Sequence, residues 1–233
     1  MPSSRSKSTP QTQAPDPAVK RLLLIDDHPI MRHGLAQLIR SEPGLDVCAE
    51  AGNAREGLEA VARHAPDLVV IDLTLPDKNG LELLKDIQAM HPGTLCLVLS
   101  MHDEEMYGER ALRAGARGYV MKEVAADHLV TAVRRVLSGG IYVSDAMASR
   151  MLEQVTGQRA RQTAGIDTLT DRELEVLEMI GKGVATKNIA AKLCISARTV
   201  EAHRAHIKEK LSITDGAALT RYAMQWIEQR GGL

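Results

Sequence analysis

Residues 67–80 read DLVVIDLTLPDKNG, an apolar run that ends at an acidic residue and is followed by a loop. The run 68–71 is short and rich in β-branched residues, which is typical of a parallel strand covered on both faces. Asp72 stands where this strand emerges, and Pro76 and Gly80 mark the loop behind it. Ligands of open α/β sheets bind at the carboxyl ends of the strands. Asp72 is therefore either a binding-site acid or a capping or solvated loop residue, and its neighbours at that edge decide between the two.

Strand and helix patterns alternate on both sides of this run. Apolar runs predict strands, and apolar residues at helical spacing predict helices between them. The predicted strands are 21–26, 45–51, 68–72, 94–100 and 118–121, and the predicted helices are 29–39, 54–63, 81–90, 104–114 and 126–137. Such alternation predicts a doubly wound α/β domain, with a five-stranded parallel sheet, right-handed crossovers and helices on both faces, over residues 20–140.

The rest of the 233-residue chain differs in character, as expected for a length that suggests two domains. Residues 1–19 are rich in Ser, Thr, Pro and Gln, which predicts a disordered tail. Residues 141–167 pass from a weakly helical start into Gly, Gln, Arg and Thr, which predicts a linker. Residues 168–233 show no strand pattern, and they predict an all-α domain of four helices at 169–180, 186–193, 197–211 and 216–227.

Charge is distributed unevenly along the chain, although the net charge is only −1. Residues 21–149 hold 13 Lys and Arg against 19 Asp and Glu, whereas residues 186–212 hold 6 against 2. A basic segment on an otherwise acidic protein suggests a polyanion partner for that segment alone, the alternative being a solvated helix face.

Cysteine spacing and hydropathy point to an intracellular setting. Cys48, Cys96 and Cys194 are far apart and form no CxxC pair, so we expect reduced, buried thiols. The chain shows no signal peptide and no apolar run long enough to span a bilayer, which predicts a cytoplasmic protein.

Charged residues follow three of the predicted strands. Asp26 and Asp27 follow the first, Asp72 the third and Lys122 the fifth. Clustered carboxylates resist ionising together unless a cation lies among them. Oxygen ligands suit Mg²⁺, which takes one or two carboxylates together with phosphate oxygens. The group therefore predicts a phosphoryl-transfer site that uses Mg²⁺.

These residues resemble the receiver domain of bacterial two-component response regulators, and the resemblance covers roughly 21–140. It implies that Asp72 is the phosphoacceptor. It also implies that Asp27 and Asp72 are metal ligands, with Asp26 supporting through water and the backbone carbonyl of Thr74 as the third protein ligand.

The same resemblance implies that Ser100 is the switch hydroxyl, Tyr119 the switch aromatic residue and Lys122 the lysine of the family. Glu123 departs from the pattern, since many receivers have Pro after this lysine. A haloacid-dehalogenase-like phosphohydrolase also uses a strand-end Asp with Mg²⁺, but it needs an acid where this chain has Thr74. We therefore expect a protein that is not an enzyme.

The segment 169–211 resembles the helix-turn-helix of LuxR-type regulators. Thr170 and Glu173 form a capping box at its start, and Ser196 is the expected N-cap of the recognition helix 197–211. The positions that match the family pattern are Arg172, Glu173, Val176, Leu177, Gly183, Ile189, Ala190, Leu193, Ile195, Ser196, Thr199, Val200, His203 and Lys210.

Exposed positions of that helix are the candidate DNA contacts. Arg204 is the candidate for pairing with a guanine edge, and Glu201 either accepts from cytosine or orients a neighbouring Arg. The candidate phosphate contacts are Arg198, Thr199 and Lys208 of this helix and Lys187 of the preceding one.

Together the two resemblances indicate a response regulator of the NarL/FixJ type. They imply a transcription regulator that receives a phosphoryl group on Asp72 from a histidine kinase and binds paired half-sites in double-stranded DNA as a homodimer. The alternatives are a DNA binder that ignores phosphorylation, with the receiver as a dimerisation module, and a phosphoryl sink that binds only proteins. In the last helix the stripe of Leu219, Tyr222, Ala223 and Trp226 is either a dimer face or plain bundle packing.

Overall fold

The structure is a computed structural model that describes residues 19–155 and 165–231. The predicted tail, apart from Val19, and residues 156–164 of the predicted linker lie outside the described residues. The strands are β1 Lys20–Ile25, β2 Leu45–Ala51, β3 Leu68–Ile71, β4 Leu95–Ser100 and β5 Tyr119–Met121. The helices between and after them are α1 Pro29–Arg40, α2 Ala54–His64, α3 Gly80–Met90, α4 Glu104–Arg113 and α5 Ala125–Leu137.

The five strands form one parallel sheet in the order β2-β1-β3-β4-β5, as the alternating pattern predicts. All four residues of β3 are buried, because helices cover both faces of the sheet. Alternate residues of each strand enter different cores: Val69 packs with α2, α3 and α4, and Val70 packs with α1 and α5. The carboxyl ends of β1, β3, β4 and β5 therefore meet at one edge.

The start of the predicted linker is ordered. Tyr142 continues the sheet beyond β5 by a short parallel bridge, in which Tyr119 N donates to Tyr142 O (2.9 Å) and Tyr142 N donates to Arg117 O (3.0 Å). A further helix, α6 Asp145–Val155, then packs on α4, with Met147 buried over Gly108. The segment is too polar to give a strong helical pattern in the sequence, and the burial of Met147 holds it against α4.

The remaining helices, α7 Asp171–Gly181, α8 Thr186–Lys192, α9 Ala197–Lys210 and α10 Gly216–Gly231, form the expected four-helix domain. The capping box of Thr170 and Glu173 begins α7, and Ser196 caps α9 by accepting from Thr199 N (3.0 Å). Gly183 has a positive φ of 73° in the turn after α7. Both predicted caps are thus confirmed.

Helix α10 packs against α7, and this packing takes up most of the stripe that we considered as a dimer face. Leu219 and Ala223 are fully buried and Trp226 nearly so, and Trp226 also lines a cavity with Lys85 and Met106 of the receiver. Bundle packing therefore accounts for Leu219 and Ala223, and Tyr222 is half-buried beside them.

Two further expectations concern the thiols and membrane spans. The three cysteines are free, as predicted, but the prediction that all are buried is wrong: Cys96 is buried, Cys48 partly so, and Cys194 is exposed in a turn at φ 52°. Across residues 19–155 and 165–231, none of the helices is long and apolar enough to cross a membrane.

Candidate functional site

Asp72 lies at the carboxyl end of β3 and is buried. Its backbone N donates to Ile25 O (2.8 Å), which fixes its place beside β1. Its Oδ1 accepts from Thr74 N (3.2 Å) and its Oδ2 from Lys122 Nζ (2.7 Å). Burial raises the pKa of Asp72, and although Lys122 opposes this, the net shift is upward. The carboxylate is therefore held by one specific cation in a place with little water.

Lys122 reaches this site from the 3-10 turn Lys122–Val124 that follows β5. Its Nζ lies 2.7 Å from Asp26 Oδ2 as well as 2.7 Å from Asp72 Oδ2. Burial alone would lower the pKa of Lys122, but the two carboxylates outweigh it and the pKa is raised. One ammonium group between two buried carboxylates leaves an excess of negative charge at this edge of the sheet.

The acidic cluster contains Asp26, Asp27, His28 and Asp72, each with one potential ligand atom, all within 4.8 Å of one another. His28 Nδ1 lies 2.6 Å from Asp27 Oδ1. Carboxylate oxygens suit a hard divalent cation such as Mg²⁺, so the donor set fits the ion that the sequence predicts. Thr74 belongs to the loop of Asp72, bonded to it through its backbone N. His28 was not among the predicted site residues, although it directly follows Asp26 and Asp27 in the sequence.

The loop behind Asp72 is closed by a close approach of Gly80. A Cβ atom at position 80 would lie 2.2 Å from Asp72 O and 2.6 Å from Leu73 Cα, so only glycine fits there. Gly80 N donates to Leu73 O (2.9 Å), and Asn79 caps α3 by accepting from Leu81 N (2.7 Å). The start of α3 thus supports the backbone that carries Asp72.

The two predicted switch residues meet at His102, in the loop after β4. Ser100 is fully buried, and its Oγ accepts from His102 N (3.2 Å). Tyr119 is buried as well, and its hydroxyl donates to His102 O (2.8 Å). The structure therefore brings Ser100 and Tyr119 together through a residue that sequence reasoning missed.

The side chain of His102 connects the loop of Asp72 with the carboxy-terminal domain. Its Nε2 lies 3.1 Å from Thr74 Oγ1, and its Nδ1 lies 2.9 Å from Glu178 Oε2 on α7. Tyr107 of α4 donates its hydroxyl to the same Glu178 oxygen (2.9 Å), with its ring centroid 4.5 Å from that of His102. No local pattern of residues predicts this cluster, because Glu178 is 76 residues from His102 and 71 from Tyr107 along the chain.

Charge stabilises this contact between the domains. Burial alone would raise the pKa of Glu178, but His102 and Lys182 lower it to about 2. Burial alone would lower the pKa of His102, but Glu178 outweighs it and raises the pKa. Both shifts favour an ion pair of the imidazolium and the carboxylate.

Three more receiver residues bind α7 and the segment before it. Asn79 Nδ2 donates to Glu175 Oε1 (2.7 Å), and Lys85 Nζ donates to Asp171 Oδ2 (2.7 Å). Arg110 donates to Leu169 O (2.8 Å), Ile166 O (2.8 Å) and Asp171 Oδ1 (3.1 Å). The domain interface therefore lies next to the acidic cluster.

The candidate DNA contacts lie at the surface of the helix-turn-helix. Lys187, Arg198, Thr199 and Glu201 are exposed, and Lys208 is partly buried. The side chain of Arg204 is only 19% exposed, with its Nε 3.6 Å from Glu201 Oε2. Glu201 also accepts from Thr186 Oγ1 (3.0 Å). Glu201 therefore lies beside Arg204, the neighbour that it is predicted to orient if it does not accept from cytosine.

Fold and site together define a class of protein: a receiver domain followed by a DNA-binding helix-turn-helix domain. Residues 22–134 match the response regulator receiver domain, and residues 167–223 match the bacterial regulatory proteins of the luxR family. The chain belongs to the two-component response regulators of the NarL/FixJ type. Members of this family are transcription regulators and not enzymes.

Relatives resemble the chain over nearly their whole length. The transcriptional regulatory protein UhpA of Escherichia coli K12 is 40% identical, over 85% of this chain and 94% of that protein. The oxygen regulatory protein NreC of Staphylococcus carnosus TM300 is 35% identical, over 88% and 97%.

Among solved structures, those of RcsB are similar to this chain. A Salmonella typhimurium RcsB structure is 25% identical with a TM-score of 0.54, over 87% of this chain and 97% of that chain. A second RcsB structure with the same identity, TM-score and coverage is described as two RcsB dimers bound to two parallel DNAs.

Proposed function

We propose that this response regulator is phosphorylated on Asp72 by a histidine kinase and, when phosphorylated, binds paired DNA half-sites as a dimer. The observation that carries the proposal is the position of Lys122 Nζ, 2.7 Å from both Asp72 Oδ2 and Asp26 Oδ2, beside a cluster of further acids. A buried carboxylate with one lysine partner and a cation-binding edge is suited to accept a phosphoryl group.

The chemistry is a transfer from a phosphohistidine or a small phosphodonor to Asp72. The carboxylate attacks phosphorus in line; the bond from phosphorus to the donor's imidazole nitrogen breaks, and the imidazole keeps the electron pair and takes up a proton. Lys122 neutralises charge on the phosphoryl oxygens. Asp27, Asp72 and the carbonyl of Thr74 would hold Mg²⁺, with Asp26 supporting through water, and the ion would supply further neutralisation of that charge.

The acyl phosphate alters the surroundings of Ser100. Its added negative charge attracts the Ser100 hydroxyl as a hydrogen-bond donor, whereas in this structure Ser100 Oγ accepts from His102 N. A turn of Ser100 towards the phosphoryl group weakens the bond to His102, which also holds Tyr119 through its carbonyl. A local change of charge thereby reaches the loop that touches α7.

DNA recognition belongs to α9 and its neighbours. Lys187, Arg198, Thr199 and Lys208 are proposed to contact phosphates, and Arg204, with Glu201, to reach base edges in the major groove. The RcsB structure described as dimers on DNA supports a paired arrangement. Half-sites about one helical turn apart suit two such helices related by a two-fold axis.

Labelling of the full chain with acetyl phosphate tests the role of Asp72. Wild type should incorporate phosphate in the presence of Mg²⁺, and Asp72→Asn, which keeps the shape of the side chain, should not. Asp77→Asn is the matched control, since Asp77 lies in the same loop but accepts from Ala54 N and Arg55 N at the start of α2. Equal labelling of wild type and Asp72→Asn would remove Asp72 from its proposed role.

The same samples test the consequence for DNA. Phosphodonor should raise the affinity of wild type for a target promoter fragment and leave that of Asp72→Asn unchanged. If phosphodonor changes the affinity of neither protein, the protein binds DNA independently of phosphorylation. If neither protein shows salt-dependent binding to any DNA, it is a phosphoryl sink.

A further inference from the structure

His28 is the one member of the acidic cluster that offers a nitrogen atom, and it stands at the N-cap position of α1. N-cap side chains usually accept a hydrogen bond from the first turn of their helix, but the His28 side chain forms no such bond. Its Nδ1 instead lies 3.2 Å from Asp26 Oδ1 and 2.6 Å from Asp27 Oδ1. The imidazole ring therefore points into the acidic cluster and not along its own helix.

The oxygen that the ring meets on Asp27 is not satisfied by a hydrogen bond. Asp27 Oδ1 is buried from solvent and has no hydrogen-bond partner among the residues that the structure describes, because the short contact with His28 Nδ1 is not aligned as one. A buried carboxylate oxygen is costly unless a hydrogen bond or a cation satisfies it. Two potential ligand atoms thus face each other without bonding to one another, as expected of two ligands of one cation.

Backbone contacts hold this arrangement independently of the ring. His28 N donates to Asp26 Oδ1 (2.8 Å), and the Arg32 guanidinium on α1 donates to Asp26 O. Substitution of the His28 side chain leaves both contacts in place. The ring is also the most open part of the cluster, since the His28 side chain is 62% exposed, against 32% for Asp27 and 5% for Asp26. An ion can therefore reach the carboxylates from the side of His28.

The type of ligand decides which metal a site prefers. Carboxylate and carbonyl oxygens suit Mg²⁺, whereas imidazole nitrogen suits transition-metal ions such as Zn²⁺. Zn²⁺ also binds carboxylate oxygens readily, so it can use the same acids as Mg²⁺. A cluster of Asp26, Asp27 and Asp72 alone would favour the harder ion. The addition of His28 Nδ1, within 4.8 Å of the other ligand atoms, changes that balance.

We propose that His28 is a metal ligand and that it gives this site a preference for a transition-metal ion such as Zn²⁺ over Mg²⁺. The inference rests on the metal site of the proposed function. The two ions share Asp27 and Asp72, so each excludes the other. Occupancy of the site by one ion or the other then depends on the free concentration of each.

Equilibrium dialysis of the full chain measures the affinities for Zn²⁺ and Mg²⁺ separately. His28→Ala removes the imidazole, and because the ring caps no N–H and is mostly exposed, the variant should fold as wild type does. Loss of an outer-shell partner already reduces metal affinity 10–100-fold in typical sites, so His28→Ala should bind Zn²⁺ at least about tenfold more weakly. Its affinity for Mg²⁺ should stay close to that of wild type, since the oxygen ligands remain.

Two controls identify the Zn²⁺ that binds at this site. His33→Ala removes another histidine of α1, whose ring contacts Gln37 at the surface, so its Zn²⁺ affinity should equal that of wild type. Asp27→Asn combined with Asp72→Asn removes two of the three carboxylates of the cluster. The Zn²⁺ that this double variant still binds belongs elsewhere on the chain and is subtracted.

His28→Asp separates the chemistry of the ligand from the mere presence of a side chain. It replaces the nitrogen ligand by an oxygen ligand, so Mg²⁺ binding should persist while the preference for Zn²⁺ falls. Equal losses of Zn²⁺ and Mg²⁺ affinity in His28→Ala would show that His28 only orients Asp27, and an unchanged Zn²⁺ affinity would show that it is no ligand. Either result overturns the inference and leaves the proposed function standing, whereas a wild-type chain that binds neither ion overturns the metal site of both.

Discussion

At the scale of single residues, the proposed phosphorylation site depends on close contacts that leave little tolerance. Lys122 forms ion pairs with two buried carboxylates at once, so its loss would leave both Asp26 and Asp72 without their shared cation. Gly80 carries no side chain, yet it determines how near α3 can come to the backbone of Asp72. The geometry of the site therefore depends on its charged residues and also on the absence of a side chain at Gly80.

Gly80→Ala should destabilise the protein. The new methyl group would clash with the backbone of Asp72 and Leu73, which cannot move aside as a side chain can. Overpacking of this kind lowers the free energy of unfolding by about 1–3 kcal/mol. Urea unfolding of the receiver should show a lower free energy of unfolding, and labelling of Asp72 by acetyl phosphate should slow. Gly34→Ala is the control, because Gly34 lies exposed in α1 with nothing within 4 Å of a Cβ atom. The free energy of unfolding of this variant should be higher than that of wild type by about 0.5–1 kcal/mol. Equal stability of Gly80→Ala and wild type would contradict the close packing.

At the scale of elements, α7 and α9 of the carboxy-terminal domain face different surroundings: α7 contacts the receiver and α9 faces solvent. Helix α7 has an apolar face for its own bundle and an acidic face for the receiver. Helix α9 buries Val200 and Ile207 and leaves most of its polar residues at the surface. Because Leu219 and Ala223 of α10 are buried against α7, α10 presents only its outward residues to other molecules, such as Met224, which is 45% exposed.

On α9, Arg204→Ala and Lys208→Ala should have different effects on DNA binding. Arg204→Ala should reduce discrimination between a target site and its base-substituted variants by about 1–3 kcal/mol at the position that Arg204 contacts. Lys208→Ala should weaken binding to all sequences alike and reduce the salt slope by about 1. Titrations at several salt concentrations measure both quantities. Unchanged discrimination in Arg204→Ala would mean that Arg204, which lies beside Glu201 here, only orients its neighbour.

At the scale of the whole molecule, the two domains are joined by buried polar contacts beside an apolar cluster that runs from the receiver into α7. Arg110 has a central part, since its guanidinium binds the carbonyls of Leu169 and Ile166 as well as Asp171. These carbonyls immediately precede α7, so Arg110 determines where that helix begins relative to α4.

Arg110→Ala should loosen the pair of domains. Hydrogen bonds that involve a charged group contribute on the order of 2 kcal/mol, and the substitution removes three of them. Scattering from the full chain should show a larger radius of gyration, and rotational correlation times from NMR should differ more between the domains. Arg113→Ala is the control, since Arg113 is 71% exposed one turn further along α4 and pairs with Glu109 of its own helix. If both variants keep the wild-type dimensions, Arg110 does not hold the domains together.

The sequence predicts much of this protein because its strongest signals are local. Periodicity places all five strands and the four carboxy-terminal helices within a few residues of their observed bounds, and the caps at Thr170 and Ser196 stand where the sequence predicts them. The sheet order then brings the predicted Asp26, Asp72 and Lys122 together, because parallel strands end at one edge. The helix α6 was predicted only as the weakly helical start of a linker, because one buried methionine in a polar segment is a weak signal.

The sequence by itself thus determined the two folds and the acids and lysine of the site, since hydrophobic spacing and strand-end residues act over short stretches of chain. Only the tertiary structure decided that His102 connects Thr74 to Glu178, that Glu175 holds Asn79, and that α10 turns Leu219 and Ala223 inward. These contacts join residues far apart in the chain. They depend on how one folded domain meets another or how one helix rotates in a bundle, and no local pattern of residues encodes that.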